Sequence, residues 1–147
     1  MTIKSGTQYE GKARKELQEW NIFSVGLQPD ASPDLILPQY HIGLEIKSTR
    51  MIKFYPSKNR DQFEYLKNQF PLDWPGYAAY YMIYFFKAHS WEVFPVSSQS
   101  PFKAGNGISL YLFISGVVLK PEIQGQRILI KPGRRAFLCH KGTQRGD

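Results

Sequence analysis

"PDLILPQYHIGLEIKST", residues 33–49, sets the fold, because its apolar and charged positions can be satisfied by only one hairpin register. With Pro38–His41 as the loop, Leu37 falls opposite Ile42, Ile36 opposite Gly43, Leu35 opposite Leu44, and Asp34 opposite Glu45. Opposed residues share a face, and side chains alternate along a strand. Leu35, Leu37, Ile42, Leu44 and Ile46 then form one apolar face, while Asp34, Glu45 and Lys47 form the other, with Ile36 the one aliphatic among the charges. Directly opposed carboxylates repel, so as plain structure the pairing costs stability. A divalent cation between them reverses that cost: Mg²⁺ takes hard oxygen ligands, one or two carboxylates completed by waters and phosphate. Lys47, two residues from Glu45, is placed to hold or deprotonate an attacking water or to neutralise developing charge. A plain surface cluster, with Lys47 neutralising the two acids, is the competing reading.

Outward from this hairpin the chain reads as one mixed unit. At 147 residues it is one domain by length, and 42% hydrophobic and 15% aromatic content are globular values. "TQYE" has capping-box spacing, with Thr7 as N-cap and Glu10 three residues on, followed by Tyr9, Ala13, Leu17 and Trp20 on one helical face and a stop at Asn21. "IFSVGL" is β-like, and the hairpin takes 34–48. "KFYPSKNRDQFEYLKNQF" reads as a loop and then a helix, capped by Ser57, striped by Phe63, Leu66 and Phe70, and broken at "PLDWPG". "YAAYYMIYFF" is a buried strand, and "SWEVFPV" a second one whose Pro95 marks an edge or strand end. "LYLFISGVVL" reads equally as strand or as a helix capped by Ser109, and "QRILIKPGRRAFL" as a small hairpin. The order α-β-β-β-α-β-β predicts an α/β fold, a mixed sheet flanked by helices.

Charge and composition narrow the function. Net charge is +7, of which residues 120–147 carry +5, through Lys120, Arg127, Lys131, Arg134, Arg135, Lys141 and Arg145 against Glu122 and Asp147. A basic extension of this kind suits a phosphate backbone or is a solvated tail. No apolar run reaches the ~20 residues of a membrane span. The absence of an apolar leader and the single Cys139 point to an intracellular protein. His41, His89 and His140 lack ligand spacing, Ser48 and Ser57 have no triad partners in pattern, and Gly105-Asn106-Gly107 is a turn rather than a phosphate loop. Phe63, Phe70 and Trp74 are core aromatics or dimer contacts, with core the stronger reading.

Pro33-Asp34 followed by Glu45-Ile46-Lys47 matches the signature of the PD-(D/E)xK nuclease superfamily. With "SGTQYEGKARKELQEW" before it and "WEVFPV" and "GISL" after it, the chain resembles archaeal Holliday junction resolvases over most of residues 4–119. That resemblance implies a restriction-endonuclease-like nuclease domain over 1–119; residues 120–147, which have no counterpart in the family, are read from their charge as a basic C-terminal extension. It implies a homodimeric, Mg²⁺-dependent endonuclease (Mn²⁺ substituting) that nicks four-way DNA junctions, in an archaeal cell or a virus-infected host. Carried over, Asp34 and Glu45 are the metal-binding acids, with the Ile46 carbonyl assisting, and Lys47 is the catalytic lysine. Glu10 is the acid of the first helix, in the metal shell, unless the capping box claims it. DNA contacts are expected from Arg14, Lys53, Lys58, Arg60, Arg134 and Arg135. The chain departs from the family at Gly11, where an arginine is common (Arg14 lies one turn on), and in "GLQPDASPD", where Arg and Gly-Ser are usual. Two alternatives stay open: a nuclease of this fold acting on other DNA, and a DNA-binding module without turnover.

Overall fold

The computed structural model describes residues 5–28 and 30–118. The hairpin is present in the expected register. Strand β2 (Leu35–Leu37) pairs antiparallel with β3 (Ile42–Thr49) through Leu37–Ile42, Ile36–Gly43 and Leu35–Leu44. The short β1 (Val25–Gly26) extends the sheet on the far side of β2. On the other side, β3 runs parallel to β5 (Ala78–Phe85), which pairs antiparallel with β6 (Ser90–Pro95), which in turn pairs with β8 (Ile108–Ser109). The result is a six-stranded mixed sheet in the order β1-β2-β3-β5-β6-β8. A separate ribbon joins β4 (Lys53–Phe54) to β7 (Phe102–Lys103).

The two hairpin faces lead into two separate cores. Leu35, Leu37, Ile42, Leu44 and Ile46 pack with Ala13 and Leu17 of helix α1 (Ser5–Gln18) and with Leu110 and Phe113 of α4 (Leu110–Phe113). Ile36, alone on the charged side, joins Leu66, Phe70, Tyr81, Ile83 and Phe102 in the second core. Helices thus cover both faces of the sheet, the α/β arrangement expected from the element order.

Several local expectations change. Thr7 lies within helix α1 (Ser5–Gln18) rather than at an N-cap, so it forms no capping box with Glu10. Its stop is as read: Asn21 adopts the left-handed conformation, φ 61°. Asn59, not Ser57, caps α2 (Arg60–Glu64), its side chain accepting the Gln62 N–H at 3.3 Å. A 3₁₀ turn over Pro56–Asn59 occupies the Ser57 position instead. "PLDWPG" ends the helix as expected, at Trp74 rather than at its first residue: the chain widens to a π turn over Tyr65–Gln69, resumes as α3 (Phe70–Asp73) and stops there. A proline has no N–H and crowds the preceding turn, and the wider π turn relieves both at the start of α3. Ser109 caps α4, accepting the Leu112 N–H at 3.2 Å, which decides "LYLFISGVVL" for helix. The expected hairpin at 126–138, with Arg134, Arg135, His140 and Cys139, lies outside the described residues.

Candidate active site

Asp34, Glu45 and Lys47 meet where β2 begins and β3 continues into the sheet. One position beyond the last strand pair, Asp34 faces Glu45, close enough for each carboxyl to feel the other's charge. Asp34 Oδ2 also accepts the Ile46 N–H at 2.8 Å, so the side chain takes the ladder position that backbone would otherwise occupy. Lys47 Nζ lies 3.4 Å from Glu45 Oε2. Glu45 is almost wholly buried, and its Oε1 has no hydrogen-bond partner. Pro33 is placed by packing: a Cβ on Gly43 would come within 2.6 Å of its ring and 2.7 Å of Phe70.

The electrostatics are those of a site short of positive charge. Burial and then the Asp34 charge push the Glu45 carboxyl up to about 8, against the opposing pull of Lys47. Burial also raises Asp34, partly offset by the Ile46 N–H, its side-chain contact with Glu45 and the Lys47 charge. A buried carboxylate pair with an unused oxygen is what a dication would neutralise, and the donor set fits Mg²⁺. Among the described residues, no three His, Cys, Asp or Glu side chains converge closely enough to form a metal cage. A two-carboxylate arrangement, completed by water and phosphate, is therefore the one this geometry supports.

Glu10 reaches the site from the opposite layer. Its carboxyl is raised by burial and then by the Asp34 charge, and lowered by Arg14. Both side chains cross the sheet edge over Gly26, where an added Cβ would lie 3.1 Å from Arg14 Nη1 and 3.5 Å from Glu10 Oε2. A bare backbone at Gly26 thus lets Glu10 and Arg14 approach Asp34. Lys53 and Lys58 line a groove adjoining Lys47, whereas Arg60, also exposed, does not line it.

Two residues escaped the sequence reading. Tyr81 is the register partner of Glu45 on β5, and its buried hydroxyl has no hydrogen-bond partner. Burial, then the Glu45 charge, raises its phenol. "YAAYY" is visibly aromatic, but nothing local says which tyrosine meets Glu45. Glu92, also buried, accepts the Gly105 N–H on both oxygens, at 3.0 and 2.9 Å, and the Gly107 N–H at 3.0 Å. It anchors the turn after β7, and the Gly-Asn-Gly signal carried no hint of that partner.

No protein-family model matches the sequence, nor does any curated protein. Among solved structures, the chain is similar to Archaeoglobus fulgidus Hjc, a Holliday junction resolvase from an archaeal hyperthermophile, with TM-score 0.57 and 22% identity over 73% of this chain and 93% of that one. This chain shares its fold with a Holliday junction resolvase. The restriction-endonuclease-like architecture implied by the resemblance is therefore the architecture observed. No helix among the described residues is long and apolar enough to cross a membrane.

Proposed function

We propose that the protein is a Mg²⁺-dependent endodeoxyribonuclease that hydrolyses phosphodiesters at four-way DNA junctions. The observation that carries this reading is the buried Asp34–Glu45 pair with Lys47 3.4 Å from Glu45, in a fold shared with a resolvase. Asp34 and Glu45 would hold the metal, with the Ile46 carbonyl assisting and Glu10 acting on it only from the surrounding shell, through its charge. Bound Mg²⁺ (or Mn²⁺) supplies Lewis-acid polarisation of the phosphate and a more acidic water. The chain's own groups do the rest. The Ile46 N–H fixes one Asp34 oxygen, so the carboxylate is oriented before substrate arrives. Lys47 positions the attacking water and offsets charge building on the phosphate oxygens. Arg14 partly offsets the burial and the Asp34 charge that raise the Glu10 carboxyl.

Junction resolution needs two nicks, which a C₂ homodimer supplies. Phe70, weighed above as core aromatic or dimer contact, is fully buried in the monomer core, as is its neighbour Leu66, and neither can serve that interface. Phe23 and Leu72 are exposed and remain available for that surface. The test compares an immobile four-way junction, a linear duplex and a flap at equal concentration in Mg²⁺ buffer. Paired nicks in opposed junction strands support resolution, and structure-blind cutting supports a general nuclease of this fold, a reading that the unusual segment around Gly26 keeps in play. No cleavage of any substrate leaves a DNA-binding module. Asp34→Asn should abolish cleavage with DNA binding retained. The protein should sediment as a dimer at micromolar concentration.

A further inference from the structure

Beside Lys47 the structure opens a groove of about 350 Å³ between the end of β3, the start of the β4 ribbon and α2. Its wall carries three cations, Lys47, Lys53 and Lys58, and no carboxylate. Its apolar part is equally unusual, because Met51 and Tyr55 are 62% and 40% exposed where the second core could have taken them in. Lys58 Nζ lies 5.9 Å from the centre of the Tyr55 ring, so positive charge and an aromatic surface share one wall. Lys53 also stands directly opposite Lys103 in the two-stranded ribbon. Opposed like charges destabilise a strand pair, and an anion laid across the two removes the cost. The logic mirrors the acid pair next door with the sign reversed.

We propose that this groove receives one unpaired nucleotide of the DNA strand being cut, its base on Tyr55 and its phosphate between Lys53 and Lys58. The inference rests on the nuclease reading above and narrows its substrate class. A base inside a duplex is stacked on both faces and offers neither to a side chain, whereas an unpaired base can leave the helix and stack on an aromatic ring. The flanking lysines supply the backbone contacts that stacking alone lacks. Because Lys47 belongs to both the groove and the carboxylate site, a nucleotide seated here places a neighbouring phosphate at Asp34 and Glu45. The preferred substrates are then those with an unpaired nucleotide beside the cut: a junction centre, a bulge or a flap base.

The experiment uses the full chain in chelator and two DNA probes that differ only in whether a single 2-aminopurine is bulged out or paired. Wild-type protein should bind the bulged probe at least about fivefold more tightly than the paired one and quench its fluorescence. Tyr55→Ala should lose both the preference and the quenching, Tyr55→Phe should restore them, and Lys53→Gln should weaken binding of the bulged probe. A melting curve for each variant confirms that it is folded. Equal wild-type affinity for the two probes overturns the proposal, as does an undiminished preference in folded Tyr55→Ala. Either result leaves the nuclease reading standing if wild-type protein cuts DNA once Mg²⁺ is added. Failure to bind or cut any DNA overturns both.

Discussion

Replacing Glu45 with glutamine should make the protein more stable and catalytically dead. Glu45 is pushed from an ordinary 4.5 up to about 8 by burial and by Asp34. An acid raised in the folded state keeps a proton that the unfolded chain has already released at any pH between those two values. Stability therefore falls as pH rises from 4.5 and levels off above about 8, losing about 1.4 kcal/mol per pH step. The full loss is about 4–5 kcal/mol. A glutamine side chain has nearly the same shape and no charge, and its amide can donate to Asp34 while its carbonyl accepts from Lys47. The new buried amide is not perfectly satisfied, so about half the gain, ~2 kcal/mol, is expected at pH 8. For a domain of this size that raises the melting temperature by about 4–8 °C. The measurement is a pair of thermal melts in chelator at pH 8 and pH 4.5. The advantage of Glu45→Gln should be present at the first and absent at the second. Adding Mg²⁺ at pH 8 should raise the wild-type melting temperature and leave that of the variant unmoved. A variant no more stable than wild type at pH 8 would show that the acid pair is not strained, and the argument for a cation there would fall.

Three further outcomes follow from particular contacts. Glu92→Ala orphans the Gly105 and Gly107 N–H groups and should cost about 3 kcal/mol, read as a melting temperature about 10 °C lower. Gly26→Val pushes a side chain into the Glu10–Arg14 pair and should cut the cleavage rate at least about tenfold with DNA affinity within about twofold, checked by single-turnover kinetics beside a binding titration. Removing residues 120–147 should lower the slope of log affinity against log salt by about 0.9 for each phosphate that Arg127, Lys131, Arg134 or Arg135 neutralises, equally for junction and duplex. An unchanged slope makes that segment solvated charge.

The hairpin was legible because its information is local. Four loop residues set the register, strand periodicity sorts the faces, and one wrong step would exchange three charges for five aliphatics across the sheet. The α1 stop at Asn21 could be read for the same reason, since it depends on neighbours within one turn, whereas the Ser109 cap was one of two equal readings until the structure placed it. Other features depended on contacts distant in sequence. Parallel pairing of β3 with β5 aligns Glu45 with Tyr81 across 36 residues, and no turn dictates that alignment. The packing of α1 decides that Glu10 crosses Gly26 toward Asp34 rather than serving as a cap. Leu66 and Phe70 look like an apolar stripe on a free helix, and only the sheet beneath shows that the stripe is already covered. The groove beside Lys47 exists because the β3–β4 loop and α2 fold toward each other. Sequence determined which residues could form a charged strand face. Tertiary packing decided how deeply that face is buried, and burial is what turns two ordinary carboxylates into a strained pair.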